Sequence, residues 1–337
     1  MSDSIYLDHA AATPLDSEVL AQMQSFLTTE FYNPSATYLA AKKVRSSLDD
    51  ARARVAKVLA VRPREIVFTA GATEANNMAI KGVMDYFIEK FPGSKILVSA
   101  IEHDSVLKTA SQYNHSVVPV DKLGRVNQTE LKNLITDDVV MVSIMYANNE
   151  IGTIQKLSDI AKILSQARTE RSAAGNNLPI YLHTDAAQAP NLMPVVASNL
   201  GVDLMSLNGG KIYGPKQSGA LFIATGTQIS SVIQGGGQEF GMRSGTENVA
   251  GIVGFSYALE RAASLRAKEA ERLADLQNLF VSQLASRVPK AVVTAPGAGL
   301  YNLVHVTILG TDNERLMMEL DEAGIQCAVG SACSASS

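Results

Sequence analysis

The sequence predicts an α/β protein, with a mainly parallel sheet covered by helices on both faces and a smaller α+β unit after it. Three observations carry this reading. Helical and strand patterns alternate along most of the 337 residues, the mark of βα units and a parallel sheet. The strand candidates are apolar along their whole length, as strands covered on both faces must be. Beyond about residue 246 the order changes to one long helical region and a few short elements.

The elements follow in order. Val44, Leu48, Ala51, Val55 and Val58 step by four and three, one face of an amphipathic helix. Ile66–Thr69 reads as a short buried strand, followed by a glycine-containing turn and a helix from Glu74 to about Glu89. Further strands are predicted at Lys95–Ser99, Ser116–Val120, Val139–Met145, Ile180–Thr184 and Asp203–Leu207. A Gly/Ser-rich stretch, Gly235 to Thr246, precedes the change of texture. One long helix spans Asn248 to about Ser286, with Leu273, Leu276, Phe280 and Leu284 on its apolar face. A strand (Asn302–Ile308), a helix (Asn313–Ala323) and a strand (Ile325–Val329) complete the set, and Cys327 in that last apolar pattern reads as buried.

Composition excludes several classes. With 46% hydrophobic and 18% charged residues, the chain can build a sizeable core and is not a disordered protein. The net charge is −4 and no long basic block occurs, so a nucleic-acid backbone binder is not expected. Met1 to Pro14 lacks the basic and apolar regions of a signal peptide. The most apolar run, Val139 to Ala147, is far short of the roughly 20 residues of a membrane span. The only cysteines, Cys327 and Cys333, make a poor disulfide framework. A soluble, cytoplasmic protein is expected.

Three segments carry chemistry. Gly71-Ala72-Thr73-Glu74 joins a strand to a helix, where unpaired N–H groups suit a phosphate, although many such turns carry Gly and Thr without one. Asp185 ends the Ile180 strand, where ligands of α/β sheets sit; it reads equally as the partner of a cationic ring nitrogen or as a helix cap. Lys211 lies in the Gly-rich turn Asn208-Gly209-Gly210 after the next strand, a setting for a Schiff-base lysine or for a solvated one. Phosphate turn, strand-end carboxylate and lysine together are the parts that pyridoxal phosphate requires.

The ordered motifs then identify a family resemblance. The chain resembles the cysteine desulfurases, class V of the fold-type-I pyridoxal-phosphate transferases, from Tyr6 to its last residues. The matching segments are Tyr6–Pro14, Phe68–Asn77, Glu102-His103, Asn148–Gly152, Asp185–Gln188, Lys211–Lys216, Gly235–Glu239, Met242–Thr246 and Gly330-Ser331-Ala332-Cys333-Ser334. The resemblance implies a seven-stranded-type sheet in a large domain, 15–247, with 1–14 and 248–337 forming a smaller domain that stops early.

It also implies roles. Lys211 is the Schiff-base lysine and moves protons at the substrate α-carbon, Asp185 pairs with the ring nitrogen, and His103 stacks on the ring and serves as an acid/base. Gln188 and Asn149 contact the ring oxygen and substrate. Ala72 and Thr73 bind phosphate, helped by Asn208, Gly209 and Gly210, and Thr246 reaches the phosphate of the partner in a homodimer. Cys333 takes the sulfur of L-cysteine as a persulfide, leaving alanine, and hands it to an acceptor such as an iron–sulfur scaffold or a tRNA-thiolation protein. No dedicated metal site is expected, with Cys333 at most a transient iron–sulfur ligand. A selenocysteine lyase or other class V enzyme, and a non-catalytic cofactor-binding scaffold or a fragment lacking the family's carboxylate-binding arginine, are the alternatives.

The sequence departs from the family pattern at three places. Gly210 and Asn208 stand where histidine and serine are usual, so phosphate is expected to rely more on backbone N–H groups and the Asn208 amide. Tyr38 replaces a common histidine at the site mouth. Only four residues follow Cys333, so the family's carboxylate-binding arginine is missing, with Arg243 as a candidate substitute.

Overall fold

A computed structural model describes residues 4–294 and 299–330. In chain order, β1 (Ile5–Tyr6), α1 (Ser17–Thr28) and α2 (Leu39–Leu59) precede β2 (Ile66–Thr69), α3 (Ala72–Lys90), β3 (Lys95–Ser99) and α4 (Asp104–Ala110). Next come β4 (His115–Val118), α5 (Gln128–Leu134), β5 (Val139–Ser143), α6 (Leu157–Ala173) and β6 (Tyr181–Asp185). They are followed by α7 (Ala197–Leu200), β7 (Leu204–Asn208), β8 (Gly219–Ile223) and α8 (Val249–Arg287). The last elements are β9 (Ala291–Thr294), β10 (His305–Ile308), α9 (Asn313–Glu322) and β11 (Ile325–Gln326).

The central sheet has seven strands in the order β2-β8-β7-β6-β5-β3-β4. All run parallel except β8, which is antiparallel to both of its neighbours. Sequence periodicity did not pick out β8. It follows β7 through a compact turn, and an antiparallel neighbour needs no crossover helix to announce it.

Side chains leave a strand on alternate faces, and the two faces build two cores. Ile66, Phe68, Leu97 and Leu182 join Leu48, Leu59 and Phe255 of α2 and α8 on one side. Val67, Ile96, Val98 and Leu204 join Met78, Ile80 and Met84 of α3 on the other. β2, β5 and β6 are buried along their whole length, as double coverage requires. The edge strand β4 departs from that expectation, with His115 and Val117 exposed. Only the first part of α8 is buried, from Val249 to Ala262. The stripe read from Leu276 and Phe280 is about half exposed, because the later turns of α8 leave the large sheet.

β9 and β10 form an antiparallel pair, and β1 pairs in parallel with β11. β11 is shorter than the Ile325–Val329 pattern suggested. Among the described residues its only partner is the two-residue β1, so Cys327, just beyond it, is half-buried rather than buried. Among the described residues no helix is long and apolar enough to cross a membrane.

A buried ion pair pins the Gly/Ser-rich stretch to the sheet. Arg52 Nη1 and Nη2 donate to Glu239 Oε2 and Oε1 at 2.7 and 2.6 Å. Arg52 also donates to Ile66 O at 2.7 Å, and Phe68 N donates to Glu239 at 2.8 Å. Both side chains are under 5% exposed. Glu239 and Phe240 are non-glycine residues with φ of 48° and 61°, a conformation that costs energy and must be held by its surroundings. Phe240 is held under the Arg52 guanidinium, 4.9 Å from its ring centre. Removing one partner of a buried pair strands the other charge. Arg52→Met is expected to lower the unfolding free energy by about 3–5 kcal/mol in urea titration, and adding Glu239→Gln should restore part of that loss.

Candidate active site

The site lies at one edge of the sheet. The carboxyl ends of β2, β3, β5, β6 and β7 all point there, where open α/β sheets bind ligands. The turn after β2 carries Gly71, whose φ of 125° suits glycine alone, and opens α3 at Ala72 and Thr73. The first N–H groups of any α-helix lack intrahelical acceptors and favour an anion. This turn packs against the start of β8, where a Cβ on Gly219 would lie 2.8 Å from Gly71 Cα.

Asp185 closes β6 and is 6% exposed. Its Oδ2 accepts from Asn76 Nδ2 at 2.7 Å, and its Oδ1 accepts from Ala187 N at 2.9 Å, an Asx turn that fixes the carboxylate. Asn76 Nδ2 also donates to Ser105 Oγ at 2.9 Å. Ser105 in turn meets His103 Nδ1 at 2.8 Å through its hydroxyl and at 3.1 Å through its backbone N–H. A ring nitrogen facing a backbone N–H must accept, so the neutral His103 ring carries its proton on Nε2. Asp185 and His103 therefore belong to one connected group.

Lys211 is at the end of the turn after β7, on the strand next to Asp185. Its Nζ donates to Ala10 O at 2.8 Å and Ala11 O at 2.6 Å, and Gln188 Nε2 donates to the same Ala10 O at 3.0 Å. The segment before α1 is laced to this turn: Thr13 N donates to Gly210 O at 3.1 Å, and Tyr213 N donates to Thr13 Oγ1 at 2.8 Å. Lys216 is exposed and donates to Thr13 O.

The glycines of the lysine turn do not present their N–H groups outward. Gly209 N donates to Ser218 O at 2.8 Å, and Gly210 N donates to Asn208 Oδ1 at 3.0 Å. Gly209 is there for space, since a Cβ would lie 2.2 Å from Ser218 Oγ. Donors for an anion are thus left to the start of α3 and the Asn208 amide nitrogen.

Asn149 is half-buried in the loop after β5. Its neighbour Asn148 builds that loop, accepting from Glu150 N and Ile151 N at 2.9 Å each and donating to Ile101 O at 3.1 Å. Thr246 is exposed and outside this cluster. Arg243, the candidate substitute for a carboxylate-binding arginine, is paired with Glu74 in the first turn of α3 at 2.8 Å. Tyr38 is exposed and packs edge-on against Tyr32. Cys333 lies outside the described residues.

The aminotransferase class-V family model matches residues 5–337. The chain is 39% identical over 343 residues to cysteine desulfurase IscS of Dictyoglomus turgidum, covering all of this chain and 84% of that protein. It is 38% identical over 340 residues to cysteine desulfurase IscS of Methanosarcina thermophila, covering 99% and 81%. The chain belongs to the cysteine desulfurases of aminotransferase class V. Among solved structures, a NifS-like protein superposes with a TM-score of 0.89 at 35% identity, covering 96% of this chain and 87% of that one. The structure titled SspA in complex with cysteine gives 0.83 at 30%, covering 99% and 91%.

The group used by this family, pyridoxal phosphate, suits the donor set here: helix-start N–H groups at Ala72 and Thr73, a carboxylate at Asp185, an imidazole at His103 and an amine at Lys211. Among the described residues no group of three or more His, Cys, Asp or Glu side chains could hold a metal ion.

Sequence reasoning missed Asn76, Ser105 and the role of Glu102. Asn76 had a signal, being a poor helix former on the sheet-facing side of a helix. Glu102 is buried, and its Oε1 accepts from Ser99 Oγ at 2.5 Å and Met145 N at 2.6 Å, tying the loops after β3 and β5 together. Burial above all, offset by these two hydrogen bonds and reinforced by the Asp185 charge, pushes it from 4.5 up to about 8. Its folded value is raised, so its contribution is fully present below 4.5 and is lost as the pH rises through about 8. Glu102→Gln removes that titration. Chemical denaturation across this range should show wild type losing up to about 4 kcal/mol relative to the variant.

Proposed function

We propose that this chain is a pyridoxal-phosphate-dependent cysteine desulfurase, converting L-cysteine to L-alanine and passing the sulfur on as a persulfide. The observation that carries the proposal is the meeting of Asp185, His103 and the start of α3 at the sheet edge where Lys211 emerges, in a chain similar throughout to curated cysteine desulfurases. When bound, pyridoxal phosphate supplies an electron sink conjugated to the substrate amine.

The chain's own residues do the rest. Ala72, Thr73 and the Asn208 amide hold the phosphate, with Gly209 and Gly210 shaping the turn instead of donating to it. Asp185 would hold the ring nitrogen, His103 would stack on the ring and serve as an acid/base, and Gln188 and Asn149 would orient the ring oxygen and the substrate. Lys211 Nζ, leaving the Ala10 and Ala11 carbonyls, moves a proton at the substrate α-carbon. The Cys333 thiolate, the nucleophilic form, bonds to the substrate sulfur as the carbon–sulfur bond breaks. The bonding pair stays with carbon, which takes up a proton to give alanine. Sulfur leaves as the Cys333 persulfide for an acceptor protein of iron–sulfur assembly or tRNA thiolation.

The proposal includes a cytoplasmic homodimer, with Thr246 reaching the partner's phosphate; the exposure of Thr246 supports this. It also includes a cofactor domain of 15–247 and a second domain of 1–14 with 248–337. The β1–β11 pairing supports that grouping of the two ends.

Lys211→Ala is expected to abolish the absorbance band at the visible edge that pyridoxal phosphate gives wild type. Cys333→Ser should keep that band and lose persulfide, measured by thiol-specific labelling after addition of cysteine. Persulfide-dependent sulfide release that survives in Cys333→Ser overturns the assignment of Cys333.

A further inference from the structure

Of the two residues that link Asp185 to His103, Asn76 and Ser105, one comes with a cost. Asn76 is fully buried in the second turn of α3. Its Nδ2 makes two hydrogen bonds, to Asp185 and Ser105, while among the described residues its buried Oδ1 meets no donor. An unpaired buried carbonyl is unfavourable, and asparagine is itself a poor residue inside a helix. Turning the amide over would relieve neither problem, because it would set Oδ1 against the Asp185 carboxylate, which has no proton to give when ionised. An apolar residue would fill this position at lower cost if only packing mattered.

We propose that Asn76 is a positioning residue that makes Asp185 and His103 a single mechanical unit. Its two donor hydrogens span the gap from β6 to the start of α4. The first fixes Oδ2 of Asp185, whose other oxygen is already fixed by Ala187 N. The second occupies an acceptor lone pair of Ser105 Oγ, which turns the Ser105 hydroxyl hydrogen toward His103 Nδ1. The imidazole is then held by two bonds to one nitrogen, in one plane and one tautomer. The group beneath the ring nitrogen and the group over the ring face are thus set relative to each other before anything binds. This inference rests on the function proposed above for what the unit does, but the unit itself exists in the cofactor-free chain.

The test uses the full chain with Ser105→Ala, Asn76→Leu and the double variant, each checked by circular dichroism and thermal melting. Should Asn76→Leu fail to fold, Ser105→Ala carries the same readouts. In the cofactor-free chain labelled with 15N-histidine, with His103 assigned by comparison with His103→Asn, both single variants should move the His103 Nδ1 resonance downfield as it loses a hydrogen bond. Asn76→Leu should do so although Asn76 reaches His103 only through Ser105. After loading with pyridoxal phosphate, each variant should lose about tenfold or more in kcat with KM within about twofold. The double variant should lose no more than the worse single one, as members of one unit do. A His103 resonance unmoved by Asn76→Leu, or by Ser105→Ala where the former does not fold, overturns the proposal, as does a double-variant loss equal to the product of the single losses. Failure of wild type to bind pyridoxal phosphate would instead sink the proposed function, and the resonance would still judge the unit.

Discussion

Parallel strands leave a sheet at the same edge as their neighbours, and here that edge collects the loops after β2, β3, β5, β6 and β7. Strand order then decides which loops meet. β6 lies between β5 and β7, so Asp185 sits between the Asn149 loop and the Lys211 turn. α3 lies on the opposite side of β2 from α2 and brings Asn76 up to Asp185. The reversed strand β8 completes the geometry. It separates β2 from β7 and, because residue 219 is glycine, lets the Gly71 turn close onto the same edge.

The residues legible in sequence were those whose chemistry is rare in their setting: a carboxylate at the end of an apolar strand, a lysine in a glycine turn, a helix start after a buried strand. Residues that work by holding others were not legible. Ser105 is an ordinary serine in a short helix until its hydroxyl is seen between Asn76 and His103. Ala10 and Ala11 contribute only backbone carbonyls, which no side-chain pattern reveals. Among the elements, strands with crossover helices were found because short continuous apolar runs alternate along the chain with stretches of helical period. β8 and β1 were not, one being joined by a turn and the other only two residues long.

Gly235 to Thr246, the Gly/Ser-rich stretch before the change of texture, is anchored at two points within its span. Glu239 is bound by the buried Arg52, and Arg243 by Glu74 at the start of α3. The glycines allow the path, and the charges select it. Glu74 Oε2 also accepts from Ala70 N at 3.1 Å, so the carboxylate that receives Arg243 shapes the same turn that opens α3. Changes in this stretch are therefore transmitted to the start of α3 through Glu74.

The pairing of β1 with β11 has a consequence for how the protein is made. Residues 8–13 reach the Lys211 turn from a strand whose partner among the described residues, β11, lies almost the whole described chain away. On the ribosome, β1 waits without a neighbour while the large sheet assembles, and closing so long a loop is slow compared with local contacts. The lysine turn can form early, but the carbonyls that receive its amine are secured from both sides only when β11 has emerged. Folding is thus completed by fastening β1 to β11, the last of the described strands.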